Sequence, residues 1–201
     1  ELIIVNDGTK DNSMGVIADI INQHTNITII NQENLSLSVA RNNGIAAAKG
    51  EYILMPDSDD LLIENSLKPL LEKALETKVD LVVADFLSMT DEEINDFSKE
   101  DFQQPELQFK EGEGESLFLE VLNPYECFVW RTLYRRDFIV NQHLSFYPGI
   151  RYQDIPFTHE CYIKANKYIK ANCLLNIYRK WPGSSTKAYK IDNTKQFITA
   201  I

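Results

Sequence analysis

The chain has 201 residues, 44% hydrophobic and 25% charged, which fits one globular domain able to bury a sizeable core. Its formal net charge of −10 excludes a nucleic-acid backbone as the main partner, because phosphate binding needs clustered Lys and Arg. Cys127, Cys161 and Cys173 are odd in number and lack metal-ligand spacing, so they read as reduced core thiols of a cytosolic protein.

Glu1 to Val5 opens the chain directly as a strand, which implies that a preceding segment is missing from this numbering. Turn-forming residues from Asn6 to Ser13 follow, then a helix expected to carry Ile17, Ile20 and Ile21 inward. Ile27 to Ile30 is a short β-branched strand. Ser36 or Ser38 is placed to cap the next helix, which runs through Arg41 and Ala46 to Lys49, with Gly50 as its C′ stop. Tyr52 to Met55 reads as a third strand ended by Pro56. Leu67, Leu70, Leu71, Ala74 and Leu75 recur at helical spacing, and Leu81 to Ala84 reads as a fourth strand. This alternation over residues 1–90 predicts an α/β fold with a mostly parallel, doubly wound sheet flanked by helices.

Residues 91–115 are acidic and polar and read as a solvated linker or variable insertion. Residues 116–201 are assigned to the same domain. Ser116 to Leu122 looks helical, Cys127 to Trp130 extended, and Pro156 is suited to open a helix reaching about Ala165. Tyr168 to Leu175 and Ile177 to Trp181 read as two late strands. No apolar run reaches the roughly 18 to 20 residues of a membrane span, and no signal-peptide pattern is present.

The chemistry concentrates in Asp57-Ser58-Asp59-Asp60, just past the third strand, at the sheet edge where open α/β folds bind ligands. Crowded carboxylates repel one another unless a cation sits between them. Hard oxygen ligands with few protein neighbours suit Mg²⁺ or Mn²⁺ shared with a substrate diphosphate. The plainer reading of Asp57 and Asp59 is capping of the following helix. A calcium loop is excluded, because Leu62 and Lys68 stand where it needs Gly and Glu. There is no glycine-rich dinucleotide or P-loop motif, and His24, His143 and His159 are too scattered for a zinc site or a Ser-His-Asp triad. Asp7 ends the first strand at the same edge, where its plainer role is an Asx-turn with Gly8 and Thr9. Taken singly, Arg41 reads as a solvated helix residue and Arg179 as a surface charge.

Three blocks, Leu2 to Ser13, Leu37 to Ile45 and Lys49 to Asp60, together resemble the family 2 glycosyltransferases in both order and spacing. Weaker similarity continues to about Thr186. The resemblance implies a GT-A type, Rossmann-like sheet with a smaller C-terminal acceptor-side region. It implies a metal-dependent, inverting transfer of a sugar from a nucleotide-sugar, typically a UDP-sugar, to an acceptor hydroxyl in polysaccharide or glycolipid synthesis. By the same resemblance Asp7 and Arg41 hold the nucleoside, Asp57 faces the ribose and the metal's water shell, and Asp59 ligates Mn²⁺ or Mg²⁺. Arg179, with Ser184-Ser185-Thr186, matches the segment that closes over the diphosphate.

By the same resemblance Gly149 to Phe157 matches the stretch that carries the family's general base, and Asp154 is the candidate for that base. Its plainer role is N-cap of the helix at Pro156. Three departures stand out: Asn6 where many relatives carry Asp, Gln153 in place of Glu, and Thr132 in place of Lys. Gln153 removes a like charge beside Asp154 and should lower its basicity. Trp130, Tyr134, Phe146, Tyr147 and Tyr152 are candidates for a sugar platform, several of them as core. The implied partners are a nucleotide-sugar donor and a saccharide or lipid-linked acceptor, with no nucleic acid. The implied location is the cytoplasm, with room for peripheral contact at the inner face of the plasma membrane and for a homodimer. Two other classes stay open. One is a non-catalytic nucleotide-sugar-binding relative, motivated by Gln153. The other is a nucleotidyltransferase, whose basic, glycine-rich phosphate loop would lie near the first strand.

Overall fold

The computed structural model describes residues 1–97, 102–120 and 127–181. Strands β1 (Leu2–Asp7) and β2 (Ile27–Gln32) pair in parallel, with Leu2 opposite Ile27 and Asp7 opposite Gln32. Between them the chain forms two short helices, α1 (Ser13–Val16) and α2 (Ala18–Gln23), neither of which buries a residue fully. Ile17 and Ile21 are half-buried, but Ile20, expected to point inward, is 56% exposed. The break at Ile17 interrupts the helical rotation that would have put all three on one stripe.

Helix α3 (Leu37–Ala47) packs against β1 and β2. It stops short of the predicted Lys49, and Gly50 is not left-handed. Instead the amides of Lys49 and Gly50 donate to Glu1 Oε1 at 2.6 and 2.7 Å, so a carboxylate from the start of the chain takes over the turn. Strand β3 is also shorter than expected, covering Tyr52–Ile53. Its pairing with the later strand at Arg135 and Tyr134 spans only those two residues, and Leu54 and Met55 leave the ladder.

The remaining elements in order are β4 (Leu61–Leu62), α4 (Leu67–Thr77), β5 (Leu81–Thr90), α5 (Asp91–Asp96), β6 (Phe109–Gly112) and α6 (Gly114–Glu120). They are followed by a 3-10 turn at Val129–Arg131, β7 (Thr132–Arg135), α7 (Arg136–Asn141), α8 (Asp154–Lys164) and β8 (Tyr168–Lys180). Residues 91–115 therefore do more than link. Thr90 and Glu93 form a capping box that starts α5, and β6 pairs antiparallel with β8. Cys127 to Trp130 was expected to be extended. Phe128 is extended, but Val129–Arg131 tightens into the 3-10 turn, anchored where Arg131 Nε donates to the Ala84 carbonyl at 2.9 Å. The two predicted late strands are one, β8.

The second sheet runs β3-β7-β5-β8-β4, with β6 sharing the outer edge of β8. Both β3 and β5 lie antiparallel to β7, so they run the same way as each other, and β8 is parallel to β5. The α/β class read from the first half holds. Strands β4, β6 and β7 add the antiparallel pairings that make the sheet mixed. On one face, Leu81 and Val83 meet Leu117 of α6, Phe138 of α7 and Phe157, Cys161 and Tyr162 of α8. On the other, Val82 and Ala84 meet Leu70 and Ala74 of α4. Burial on both faces explains why this strand reads as an unbroken apolar run. The three cysteines are buried, as expected of core thiols, and none is in a disulfide among the described residues.

Helices α6 and α8 meet closely at Gly114, where an added Cβ would lie 1.8 Å from the Ala165 carbonyl oxygen. Gly114→Ala should therefore force α6 away from α8 and destabilise the protein by about 2 kcal/mol, lowering the thermal midpoint by about 4–8 °C. An unchanged midpoint would show that this contact does not constrain the packing.

Candidate functional site

Arg41 sits on the buried face of α3, with its side chain 7% exposed. Its Nη2 donates to Asp57 Oδ1 at 2.6 Å and its Nη1 to Asp154 Oδ1, while the guanidinium lies 5.2 Å from the Phe146 ring centroid. Burial by itself would pull the Arg41 pKa down; the charges of Asp154 and Asp57 outweigh it and raise the value. Asp154 shows the complementary effect. Burial raises its pKa, Arg41 opposes, the Asp57 charge adds to the rise, and the net shift is upward. One guanidinium thus serves two carboxylates, and a net negative charge remains in a half-enclosed place.

Asp154 is the first residue of α8, and Gln153 is the N-cap. The plainer reading of Asp154 as the cap therefore fails, since its carboxylate is turned to Arg41. Pro156 falls within the first turn, where its missing N–H costs nothing.

The acidic turn continues the same site. The Asp60 amide donates to the Asp57 carbonyl at 3.3 Å, closing the turn between β3 and β4. Asp60 Oδ1 accepts from the Arg179 amide at 2.9 Å, and its Oδ2 is buried without a partner among the described residues. Burial, with smaller contributions from Asp57 and Asp59, pushes its pKa up to about 6. Asp59 is exposed, and its Oδ2 accepts from Trp181 Nε1 at 3.2 Å. The expected phosphate partner Arg179 reaches this group through its backbone. Its side chain forms a forked pair with Asp91, at 2.5 and 3.2 Å. Both members are largely exposed, which makes the pair weak and exchangeable.

Asp7 belongs to the sheet edge but not to the Arg41 group. It accepts from Gln32 Nε2 at 2.7 Å and from the amides of Leu35 and Ser36 at 2.8 and 3.2 Å. Burial would raise its pKa, but these bonds together hold it below the usual carboxylate value. Its role here is to brace the loop that feeds α3. The Asx-turn expected of Asp7 is made by its neighbour, whose Asn6 Oδ1 accepts from the Thr9 amide at 3.0 Å. Ser36 precedes α3 without a side-chain cap bond, and Ser38 Oγ donates instead to the Tyr147 carbonyl at 2.9 Å.

Of the proposed sugar platform, Trp130, Tyr134 and Phe146 are core residues, and only Tyr147 and Tyr152 retain substantial exposure. Trp130 stacks with Phe128 and Tyr178, with Phe86 meeting its edge. Thr132 is fully buried. Ser184-Ser185-Thr186 lie outside the described residues. An open hollow of about 660 Å³ lined by Leu62, Asn65 and Leu71 lies on the α4 side and contains none of the groups above. The sequence names Asp60 only as part of the acidic run, and it does not show the buried Asp60 oxygen, the Trp181 bond to Asp59 or the Asp154–Arg41 contact. Nothing local to Asp60 separates a buried carboxylate from the exposed one beside it.

Among the described residues, no cluster of three or more His, Cys, Asp or Glu side chains closes around a cation position. One oxygen of Asp57 is taken by Arg41. What remains is a sparse, hard oxygen set on Asp57 and Asp59. This set does not form a protein cage, but it fits a Mg²⁺- or Mn²⁺-type ion whose other ligands are waters and phosphate oxygens.

Residues 1–139 match the family model described as glycosyl transferase family 2. The uncharacterized glycosyltransferase EpsJ of Bacillus subtilis is 32% identical over 193 residues, covering 93% of this chain and 54% of that protein. The glycosyltransferase GlyG of Streptococcus pneumoniae is 30% identical over 190 residues, covering 92% of this chain and 62% of that one. The chain thus spans little more than half the length of these relatives. Among solved structures, residues 1–349 of S. aureus TarS in complex with UDP-GlcNAc superpose with a TM-score of 0.76 at 18% identity, covering 100% of this chain and 56% of that one. That likeness supports the GT-A type fold.

The raised Asp60 pKa has a stability consequence. The folded state holds this proton more tightly than the unfolded chain, so its contribution is complete below the unfolded pKa near 3.8 and is lost as pH rises through about 6. Asp60→Asn, a neutral mimic, should match wild type in thermal midpoint near pH 4 and exceed it above pH 7. Parallel melting curves across that range would exclude a buried, proton-holding Asp60.

Proposed function

Because this chain belongs to glycosyl transferase family 2, we propose that it forms the donor-binding and base-carrying part of an inverting, metal-dependent glycosyltransferase. The single observation that carries this reading is the buried Arg41 held between Asp57 and Asp154. It joins the carboxylate turn suited to a metal–diphosphate to the carboxylate suited to a proton acceptor. A nucleotidyltransferase has no need of such a base beside the diphosphate turn.

The donor we assign is a UDP-sugar, supported by the UDP-GlcNAc complex of the related fold. Asp59 and Asp57 would hold Mn²⁺ or Mg²⁺, which when bound neutralises charge on the departing diphosphate. Arg41 fixes Asp154 through Oδ1, leaving Oδ2 as the oxygen we assign to the proton. The acceptor hydroxyl gives its proton to Asp154 as its oxygen bonds the anomeric carbon, and the bond from that carbon to the diphosphate breaks with inversion. The upward shift of Asp154 strengthens it as a base relative to a free carboxylate. This compensates in part for the Glu replaced by Gln153. Arg179 is placed to exchange its exposed pair with Asp91 for a phosphate oxygen. Asp7, already bonded to Leu35 and Ser36, would support the nucleoside side mainly by holding the entrance to α3.

The acceptor we assign is a saccharide or lipid-linked saccharide, reached from the cytoplasmic side. Among the described residues, no helix is long and apolar enough to cross a membrane.

Two substitutions separate these roles. Asp59→Ala should abolish the Mn²⁺-dependent part of UDP binding measured by calorimetry; undiminished affinity would remove Asp59 from the metal. Asp154→Asn should bind UDP and Mn²⁺ as wild type does yet lose turnover of UDP-GlcNAc by on the order of 10² or more. Near-normal turnover would take Asp154 out of the base role.

A further inference from the structure

Asn42 lies one residue past Arg41 on α3 and bonds a loop distant in sequence. Its Nδ2 donates to the Phe146 carbonyl and its Oδ1 accepts from the Phe146 amide, both at 2.8 Å. One turn earlier on the same helix face, Ser38 Oγ donates to the Tyr147 carbonyl at 2.9 Å. An amide side chain that meets both polar groups of one residue acts as a short piece of β-ladder, with no freedom to slide. Phe146 is fully buried between two helices. The Arg41 guanidinium lies over its ring, and its ring stacks on Phe157 of α8 at 3.9 Å and 13°.

Phe157 stands three residues after Asp154, on the neighbouring face of the same helix. The contacts therefore close a circuit. Asn42 fixes Phe146, Phe146 seats Phe157, the helix carries Asp154, and Asp154 returns to α3 through Arg41. Loosening any link lets α8 shift against α3.

We propose that Asn42 is a positioning residue, which through Phe146 sets where Asp154 stands relative to Arg41 and the acidic turn. The proposal rests on the transferase reading above, and it adds a residue whose side-chain amide is committed to Phe146. Displacement of a catalytic group by about 1 Å can cost on the order of 10² in rate. The loss should fall on turnover rather than on binding of the nucleotide.

The test uses Asn42→Ala with UDP-GlcNAc as donor and water as acceptor, alongside hydrogen exchange at the Phe146 amide. The expected result is faster exchange at Phe146, a kcat lower by about 10-fold to 10²-fold, and a UDP dissociation constant within about 3-fold of wild type. Ser38→Ala, which removes one strap and leaves Asn42 in place, should show the same split at smaller size, and it stands in if Asn42→Ala does not fold. Faster exchange at Phe146 with undiminished kcat overturns the positioning role while the transferase reading survives. A parallel fall in UDP affinity and kcat also overturns it, by placing the effect on the donor side. No turnover by the wild-type protein with Mn²⁺ overturns both.

Discussion

A buried guanidinium shared by two carboxylates sets the terms for the rest of this structure. Arg41 is nearly inaccessible, and a charge so placed is tolerated only when paired and hydrogen-bonded. Its partners come from separate parts of the fold, the turn after β3 and the first residue of α8. The arrangement is deliberately unbalanced in charge. One cation cannot satisfy two anions, so a residual negative potential persists where the acidic turn opens. Burial, with the Asp57 charge added to it, raises the Asp154 pKa, and the residual potential would favour a bound divalent ion.

The strands around the turn fix it in place. β4 pairs with β8 at Leu61 and Leu62, directly after Asp60, so the turn is tethered on its far side to the longest strand in the sheet. The Asp60 bond to the Arg179 amide and the Trp181 contact to Asp59 bring the end of β8 onto the same carboxylates. Movement at the end of β8 would be felt at the acidic turn. The Arg179–Asp91 pair is the loosest connection in this set because solvent competes with it. Helix α3 provides the opposite wall, fixed at its start by Asp7 and at its end by Glu1.

Much of the fold was legible where a single local rule governs. The amphipathic stripe of α4 and the doubly buried run of β5 follow from periodicity and needed no partner to be read. The structure departs from the sequence reading where a distant group, or a neighbour of similar chemistry, decides the local shape. Gly50 had the right identity and spacing for a helix stop, yet the Glu1 carboxylate capped those amides and no left-handed residue was needed. Asn6, one of the turn-forming residues, makes the Asx-turn expected of Asp7. The break at Ile17 turned Ile20 outward. The five aromatic residues read as a mixture of sugar face and core, and packing decides which are which, with Trp130, Tyr134 and Phe146 in the core.

By itself the sequence determined the class of fold, the family, and the identity of the acidic turn, because these depend on residue order, spacing and local preference along the chain. The tertiary structure alone decided that Asp154 faces Arg41, that Asp60 turns one carboxylate oxygen into the interior, and that Asn42 grips Phe146. Each of those depends on electrostatics or hydrogen bonding across elements far apart in the chain. Such terms vary with distance in space and with burial, and neither quantity is written in the order of the residues.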